Sequence, residues 1–130
     1  MNEIEAKFQA IAIIDDDEPV RVTTSSLVRS LGFQAVAFSS AEEYLRSARR
    51  RSFSLLISDV QMPGMSGLDL QDRLVAESDR VPIIFITAFP HENVEKRARA
   101  AGAVCVLNKP FDHQTLVECI GHALKGTRSG

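Results

Sequence analysis

The stretch Leu55-Leu-Ile-Ser-Asp59-Val-Gln-Met-Pro-Gly-Met-Ser-Gly67 joins two unlike halves. Its first residues are a short apolar run, and its last are rich in Pro and Gly. An apolar run of this length bounded by turn residues reads as a buried strand of a parallel sheet. Asp59 closes the run. In open α/β sheets, functional groups collect where the chain leaves the carboxyl ends of the strands. A carboxylate at that point is placed to act as a ligand or nucleophile.

Working outward, the strand around Asp59 is predicted over Phe53–Ser58. Four similar runs occupy Ala10–Ile14, Gln34–Phe38, Pro82–Thr87 and Val104–Leu107. Helical patterns lie between them at 18–31, 40–50, 67–77, 92–101 and 112–125. In the first, Val20, Thr24, Leu27, Val28 and Leu31 share one face, Pro19 sits in the opening turn and Gly32 ends it. Ser40 and Glu43 have capping-box spacing ahead of the second. In the last, Leu116, Val117, Ile120, Ala123 and Leu124 form one stripe. The fourth has only Val94, Ala98 and Ala101 to bury, which predicts an element able to shift. Five βα units in series imply an α/β fold with a five-stranded parallel sheet and helices on both faces. Met1–Phe8 and Gly126–Gly130 read as loose ends around a single domain with its core at about 9–125.

The chain has 130 residues, a net charge of −2 and a hydrophobic fraction of 45%. Those are the numbers of one ordinary globular domain. No basic stripe predicts nucleic-acid binding, no apolar run approaches a membrane span and no signal peptide opens the chain. Cys105 and Cys119 lack metal-ligand spacing and read as buried, reduced thiols. A cytoplasmic location is the expectation.

Three more strand ends carry chemistry. Asp15, Asp16 and Asp17 follow the first run. Adjacent carboxylates repel, and a divalent cation such as Mg²⁺, which takes oxygen ligands, would compensate. The competing reading is a solvated acidic turn in which one Asp caps the next helix. Thr87 ends the fourth run with small Ala88 behind it. Its hydroxyl suits a phosphoryl oxygen, but an ordinary β-branched strand residue looks the same. Lys109 ends the fifth run ahead of Pro110. It suits carboxylates or phosphate, or is a solvated loop lysine, and an X–Pro bond makes a cis peptide inexpensive. Acids at two ends of one parallel sheet project from the same edge, which favours convergence.

Other charged residues read as ordinary surface. Arg46, Arg49, Arg50 and Arg51 complement a helix C-terminus and stay solvated, with a partner-binding patch as the less favoured reading. His91, His113 and His122 fit no catalytic or zinc pattern and read as surface or capping groups.

Together the motifs Ile-Ile-Asp15-Asp16-Asp17-Glu-Pro-Val-Arg, Ser-Asp59-Val-Gln-Met-Pro-Gly-Met-Ser-Gly, Ile-Thr87-Ala and Ala-Gly-Ala-Val-Cys-Val-Leu-Asn-Lys109-Pro-Phe resemble the receiver domain of bacterial two-component response regulators. The match covers about Ile11 to Leu124. The Glu-Pro-Val-Arg and Ser-Ala-Glu-Glu-Tyr-Leu segments resemble the FixJ-like subfamily most.

The resemblance implies a flavodoxin-like, doubly wound (βα)5 fold. It implies Asp59 as phosphoacceptor and Mg²⁺ held by Asp15, Asp16, Asp59 and the main-chain carbonyl of Gln61. Thr87 and Lys109 would contact the phosphoryl group, Asp17 would face solvent, and the Lys109–Pro110 bond would be cis. A sensor histidine kinase or phosphotransfer protein would be the donor. A downstream effector domain or a second copy would meet the face made by the fourth helix, fifth strand and fifth helix. FixJ-type proteins usually continue into a DNA-binding domain, for which 130 residues leave no room beside a receiver, so the chain reads either as a stand-alone receiver or as the excised receiver of a longer regulator. At one position the chain departs from the family: Val106 stands where activated receivers commonly reorient an aromatic residue. Coupling would then run through another residue such as Phe89, whose ring could cover the phosphoryl site. Phe89 and Gln61 would set the phosphoryl lifetime by controlling water.

Two other functions compete. A non-phosphorylated scaffold on the same fold is favoured by Val106 and opposed by the intact set Asp15, Asp16, Asp59, Thr87 and Lys109. An aspartyl phosphatase would need a second acid two residues after Asp59, where Gln61 stands, and no Gly-rich phosphate loop is present. Turnover of an external substrate is not expected.

Overall fold

A computed structural model describes residues 9–128, with side chains through Lys125. Five strands alternate with five helices: β1 Ala10–Ile14, α1 Glu18–Ser30, β2 Gln34–Phe38, α2 Ala41–Arg46, β3 Leu55–Asp59, α3 Gly67–Ala76, β4 Ile83–Thr87, α4 Glu92–Ala100, β5 Cys105–Asn108 and α5 His113–Arg128. The expected loose ends at 1–8 and 129–130 lie outside the described residues, and α5 continues through Arg128. The sheet is parallel throughout, in the order β2-β1-β3-β4-β5. This is the doubly wound α/β arrangement, and its switch point falls between β1 and β3.

Every residue of β1, β3 and β4 is buried, because helices cover both faces. Alternate side chains divide into two cores. Ala10, Ala12, Ile14, Leu56, Ile83 and Phe85 face α2, α3 and α4. Ile11, Ile13, Leu55, Ile57, Ile84 and Ile86 face Val28 of α1 and Leu116, Ile120 and Leu124 of α5. Edge strands β2 and β5 are only partly buried.

The helices start and stop for identifiable reasons. Gly32, at φ +96°, takes the left-handed turn after α1. Ser40 accepts the Glu43 N–H, but the Glu43 carboxylate bonds Ser39 instead of closing the predicted box. The complete capping box is at Ser66 and Asp69, ahead of α3. α2 ends at Arg46, four residues before the predicted limit, because Ser47 turns to an extended conformation. The residues after it form turns that carry Phe53 back into the core. There Phe53, Phe38 and Tyr44 stack edge to face and tilted, with centroids 5.4–6.0 Å apart. Tyr44 is fully buried and donates its hydroxyl to the Arg50 carbonyl at 2.8 Å.

The arginine cluster is a correction to the solvated reading. Arg50 is 17% exposed and ion-pairs with Glu77 at 2.6 Å, joined by Arg73 at 2.8 Å and Arg51 at 3.4 Å. Arg49 lies over the Phe53 ring. The sparse packing predicted for α4 holds, with Ala98 its one buried side chain. Polar ties supplement it: Gln71 of α3 donates to the Ala98 carbonyl at 3.0 Å, and Arg97 pairs with Asp72 at 2.6 Å. His91 caps this helix by accepting the Asn93 N–H.

Candidate phosphoacceptor and metal site

The acids predicted from two strand ends do converge. Asp15 follows β1, Asp59 ends β3, and the two strands are neighbours in register. Asp15, Asp16 and Asp59 each offer a carboxylate oxygen within 4.8 Å of the others. Asp15 and Asp59 are buried, at 2% and 5% exposed, while Asp16 and Asp17 are exposed. Asp17 occupies the N-cap position of α1 but makes no side-chain cap bond. Its backbone N–H instead donates to Asp15 Oδ1 at 2.8 Å, and Arg21 donates to the Asp15 carbonyl at 2.7 Å. The first bond holds one carboxylate oxygen of Asp15 while the other meets Lys109, so the triplet is more than a capping turn.

Lys109 reaches the acids from the end of β5. Its Nζ lies 3.1 Å from Asp15 Oδ2 and 3.2 Å from Asp59 Oδ2. The Lys109 N–H bonds the Thr87 carbonyl at 2.7 Å, and the Lys109–Pro110 peptide is cis. One ammonium faces three carboxylates, so negative charge is in excess. Burial pushes the Asp59 carboxyl up to about 6; Asp15 pushes in the same direction, and Lys109 opposes both. Burial lowers the Lys109 ammonium, but Asp15 and Asp59 outweigh it and leave the group raised.

Asp59 Oδ1 is buried and has no hydrogen-bond partner. A buried carboxylate oxygen left unpaired is costly. With two more acids beside it, the donor set fits a hard cation with oxygen ligands, and these three acids can hold a metal ion.

Backbone features fix the loop after Asp59. A Cβ at Gly67 would collide with the Asp59 carbonyl oxygen, so only glycine lets α3 begin this close to β3. Gly64 has φ +77° and lies against the Glu42 carboxylate, which accepts the Met65 N–H at 2.9 Å. Glu42 was not singled out by sequence; its partner lies 23 residues away.

The remaining predicted residues gather around Thr87. It is buried, and its hydroxyl donates to Gln61 Oε1 at 2.8 Å and accepts the Phe89 N–H at 3.1 Å. Sequence reasoning singled out the Gln61 main-chain carbonyl but missed this side-chain bond. Phe89 is 70% exposed, so its ring stands in solvent in this state. Val106 packs at the edge of the α4-side core and helps line a cavity of about 180 Å³ with Thr87, His91 and Val94.

Residues 11–121 match the family model of the response regulator receiver domain. The chain is 42% identical over 119 residues to the response regulator protein TodT of Pseudomonas putida, covering 92% of this chain and 52% of TodT. It is similar to the solved structure of the response regulator StyR, with 40% identity, a TM-score of 0.84, and coverage of 91% of this chain and 60% of StyR. It also resembles the crystal structure of FixJ-N, with 31% identity, a TM-score of 0.80, and coverage of 90% and 94%. The chain spans about half the length of the curated relatives it matches. With its doubly wound sheet and its acids gathered at the switch point, this chain belongs to the response regulator receiver domain family, the phosphoacceptor signalling domains of two-component systems.

Proposed function

We propose that Asp59 is the phosphoacceptor, receiving a phosphoryl group from phosphohistidine on a sensor kinase or phosphotransfer protein. The observation that carries this reading is the position of Asp59: buried at the end of β3, one oxygen on Lys109 and the other unpartnered. A carboxylate oxygen of Asp59 attacks phosphorus. The O–P bond forms as the P–N bond breaks, and its electron pair leaves with the imidazole. Catalysis here is positioning and charge stabilisation.

Mg²⁺, held by Asp15, Asp16, Asp59 and the main-chain carbonyl of Gln61, would supply charge neutralisation. Lys109 touches Asp59, Thr87 ends the neighbouring strand, and both would offer the donors a phosphoryl group needs. Phosphorylation turns a single carboxylate charge into about −2 and adds acceptor oxygens. The element such a change would bias is α4, where one side chain is buried and polar ties do the rest. Output would pass through the α4, β5 and α5 face to an effector domain or a second copy. Phe89, Gln61 and Val106 would tune phosphoryl lifetime and coupling. The working unit is residues of about 9–125, acting in the cytoplasm, with no turnover beyond its own phosphorylation and slow hydrolysis. Among the described residues no helix is long and apolar enough to cross a membrane.

The test is intact-protein mass after incubation with acetyl phosphate and Mg²⁺. An adduct that is base-labile, needs the metal and is lost in Asp59→Ala is the expected result. No adduct on folded protein, with acetyl phosphate or with a phosphorylated histidine kinase, would overturn the reading in favour of a scaffold.

A further inference from the structure

The Thr87 hydroxyl is already engaged on both sides. It donates its proton to Gln61 Oε1 at 2.8 Å and accepts from the Phe89 N–H at 3.1 Å. A hydroxyl has one proton to donate. To donate to a phosphoryl oxygen, Thr87 must withdraw that proton from Gln61. Gln61 itself is exposed, so its carboxamide exchanges the lost bond for water at little cost, whereas Thr87 is buried and cannot.

We infer that the Gln61 side chain is a latch on Thr87, holding its hydroxyl in the resting arrangement until a phosphoryl group competes for it. This rests on the reading of Asp59 as phosphoacceptor and assigns Gln61 as a positioning residue for it, through the side chain and apart from any main-chain contact to metal. Release has a second consequence. The side-chain rotation that carries Oγ toward the phosphoryl group takes it away from the Phe89 N–H, which loses its acceptor, and the segment leading into α4 is freed at Phe89. Signal would thus leave Thr87 along the backbone of 88–91, a route that needs no aromatic side chain at Val106.

The experiment is a double-mutant cycle on the whole chain with Mg²⁺ and beryllofluoride, a phosphoryl mimic, read by calorimetry and by the Phe89 amide signal in NMR. The four proteins are wild type, Gln61→Met, Thr87→Val and the double variant. Gln61→Met keeps length and removes the strong acceptor. A single exposed-side hydrogen bond corresponds to about three- to tenfold in an equilibrium. Gln61→Met is therefore expected to bind beryllofluoride about three- to tenfold more tightly and, without ligand, to shift the Phe89 amide toward its bound position. In the Thr87→Val background the same substitution should change affinity less than about twofold. Unchanged affinity in Gln61→Met overturns the latch, as does an equal gain with and without the Thr87 hydroxyl, which would place Gln61 on the ligand or its water. Gln61→Ala repeats the test with a different side chain. If wild type binds no beryllofluoride and takes no phosphoryl group, the failure belongs to the Asp59 reading instead.

Discussion

Two charge clusters sit at opposite ends of the same sheet, and they are near mirror images. At the carboxyl end, Asp15, Asp16 and Asp59 cluster, and Lys109 pairs with Asp15 and Asp59. At the amino end, Arg50, Arg51 and Arg73 surround Glu77. Each has three charges of one sign against one of the other, yet the carboxylates in the two clusters fare differently. Arg50 and Arg73 hydrogen-bond Glu77 and hold its carboxyl down to about 2, since its charged form is satisfied. Asp59 is pushed up to about 6, because burial and Asp15 act against its charged form. Excess arginine charge can spread into solvent, where Arg51 and Arg73 are more than half exposed. Excess carboxylate charge on buried Asp15 and Asp59 cannot. The amino end is satisfied by the chain itself, and the acidic end keeps an excess of charge that a cation could satisfy.

The sharpest break in this comparison is Asp59→Asn. A carboxyl whose folded pKa is raised favours the protonated fold, so its stability contribution is full below pH 4 and lost as pH rises through about 6. The variant should gain about 1–3 kcal/mol over wild type at pH 7.5 without divalent metal, from a shift of about two units. The gain should vanish near pH 4. Denaturant titrations at several pH values check it, and a constant difference across that range would contradict the unsatisfied reading.

Metal should close the gap from the other direction. Mg²⁺ at ten times its Kd should stabilise wild type by about 1.4 kcal/mol. Asp15→Asn should respond less, and Arg50→Met should respond as wild type does. A thermal melt with and without the ion separates these outcomes.

The amino end should behave oppositely to acid. Arg50→Met should destabilise at pH 7, and the difference should shrink as pH falls from about 4.5 toward 2, where Glu77 is protonated in the fold as well. The smallest effect is expected at Gln71→Leu. Loss of its bond to the Ala98 carbonyl should cost about 1 kcal/mol or less, because that carbonyl also accepts the Ala103 N–H. Hydrogen exchange along 92–100 should nevertheless quicken, leaving both charge clusters unchanged.

Much of the acidic end was legible in sequence. β1 and β2 have the predicted limits, and at their carboxyl ends Asp15 and Ser39 break the runs. Asp15, Asp59, Thr87 and Lys109 were visible because a parallel sheet delivers every strand end to one edge. β3 begins two residues later than predicted, because Phe53 is a core residue on a turn and apolarity alone does not separate the two. The amino end was misread. Arg50 and Glu77 are 27 residues apart, and nothing local to either says that they meet. The same separation hid Gln71 from Ala98. Val60–Gly67 was read for its glycines, but the bond from Thr87 to the Gln61 side chain needs the β3–β4 pairing to exist first.

Tyr44 has a consequence for how this molecule can be watched. The chain has one tyrosine and no tryptophan, so Tyr44 is its only strong near-ultraviolet chromophore. Its ring is locked between Phe38 and Phe53, and its hydroxyl is tied to the Arg50 carbonyl at the amino end. Intrinsic tyrosine emission and near-ultraviolet dichroism therefore report unfolding of the amino end and stay silent when the acids are loaded. A dye or fluorine label placed at exposed Phe89 would supply the missing optical channel, with the native tyrosine as its internal reference.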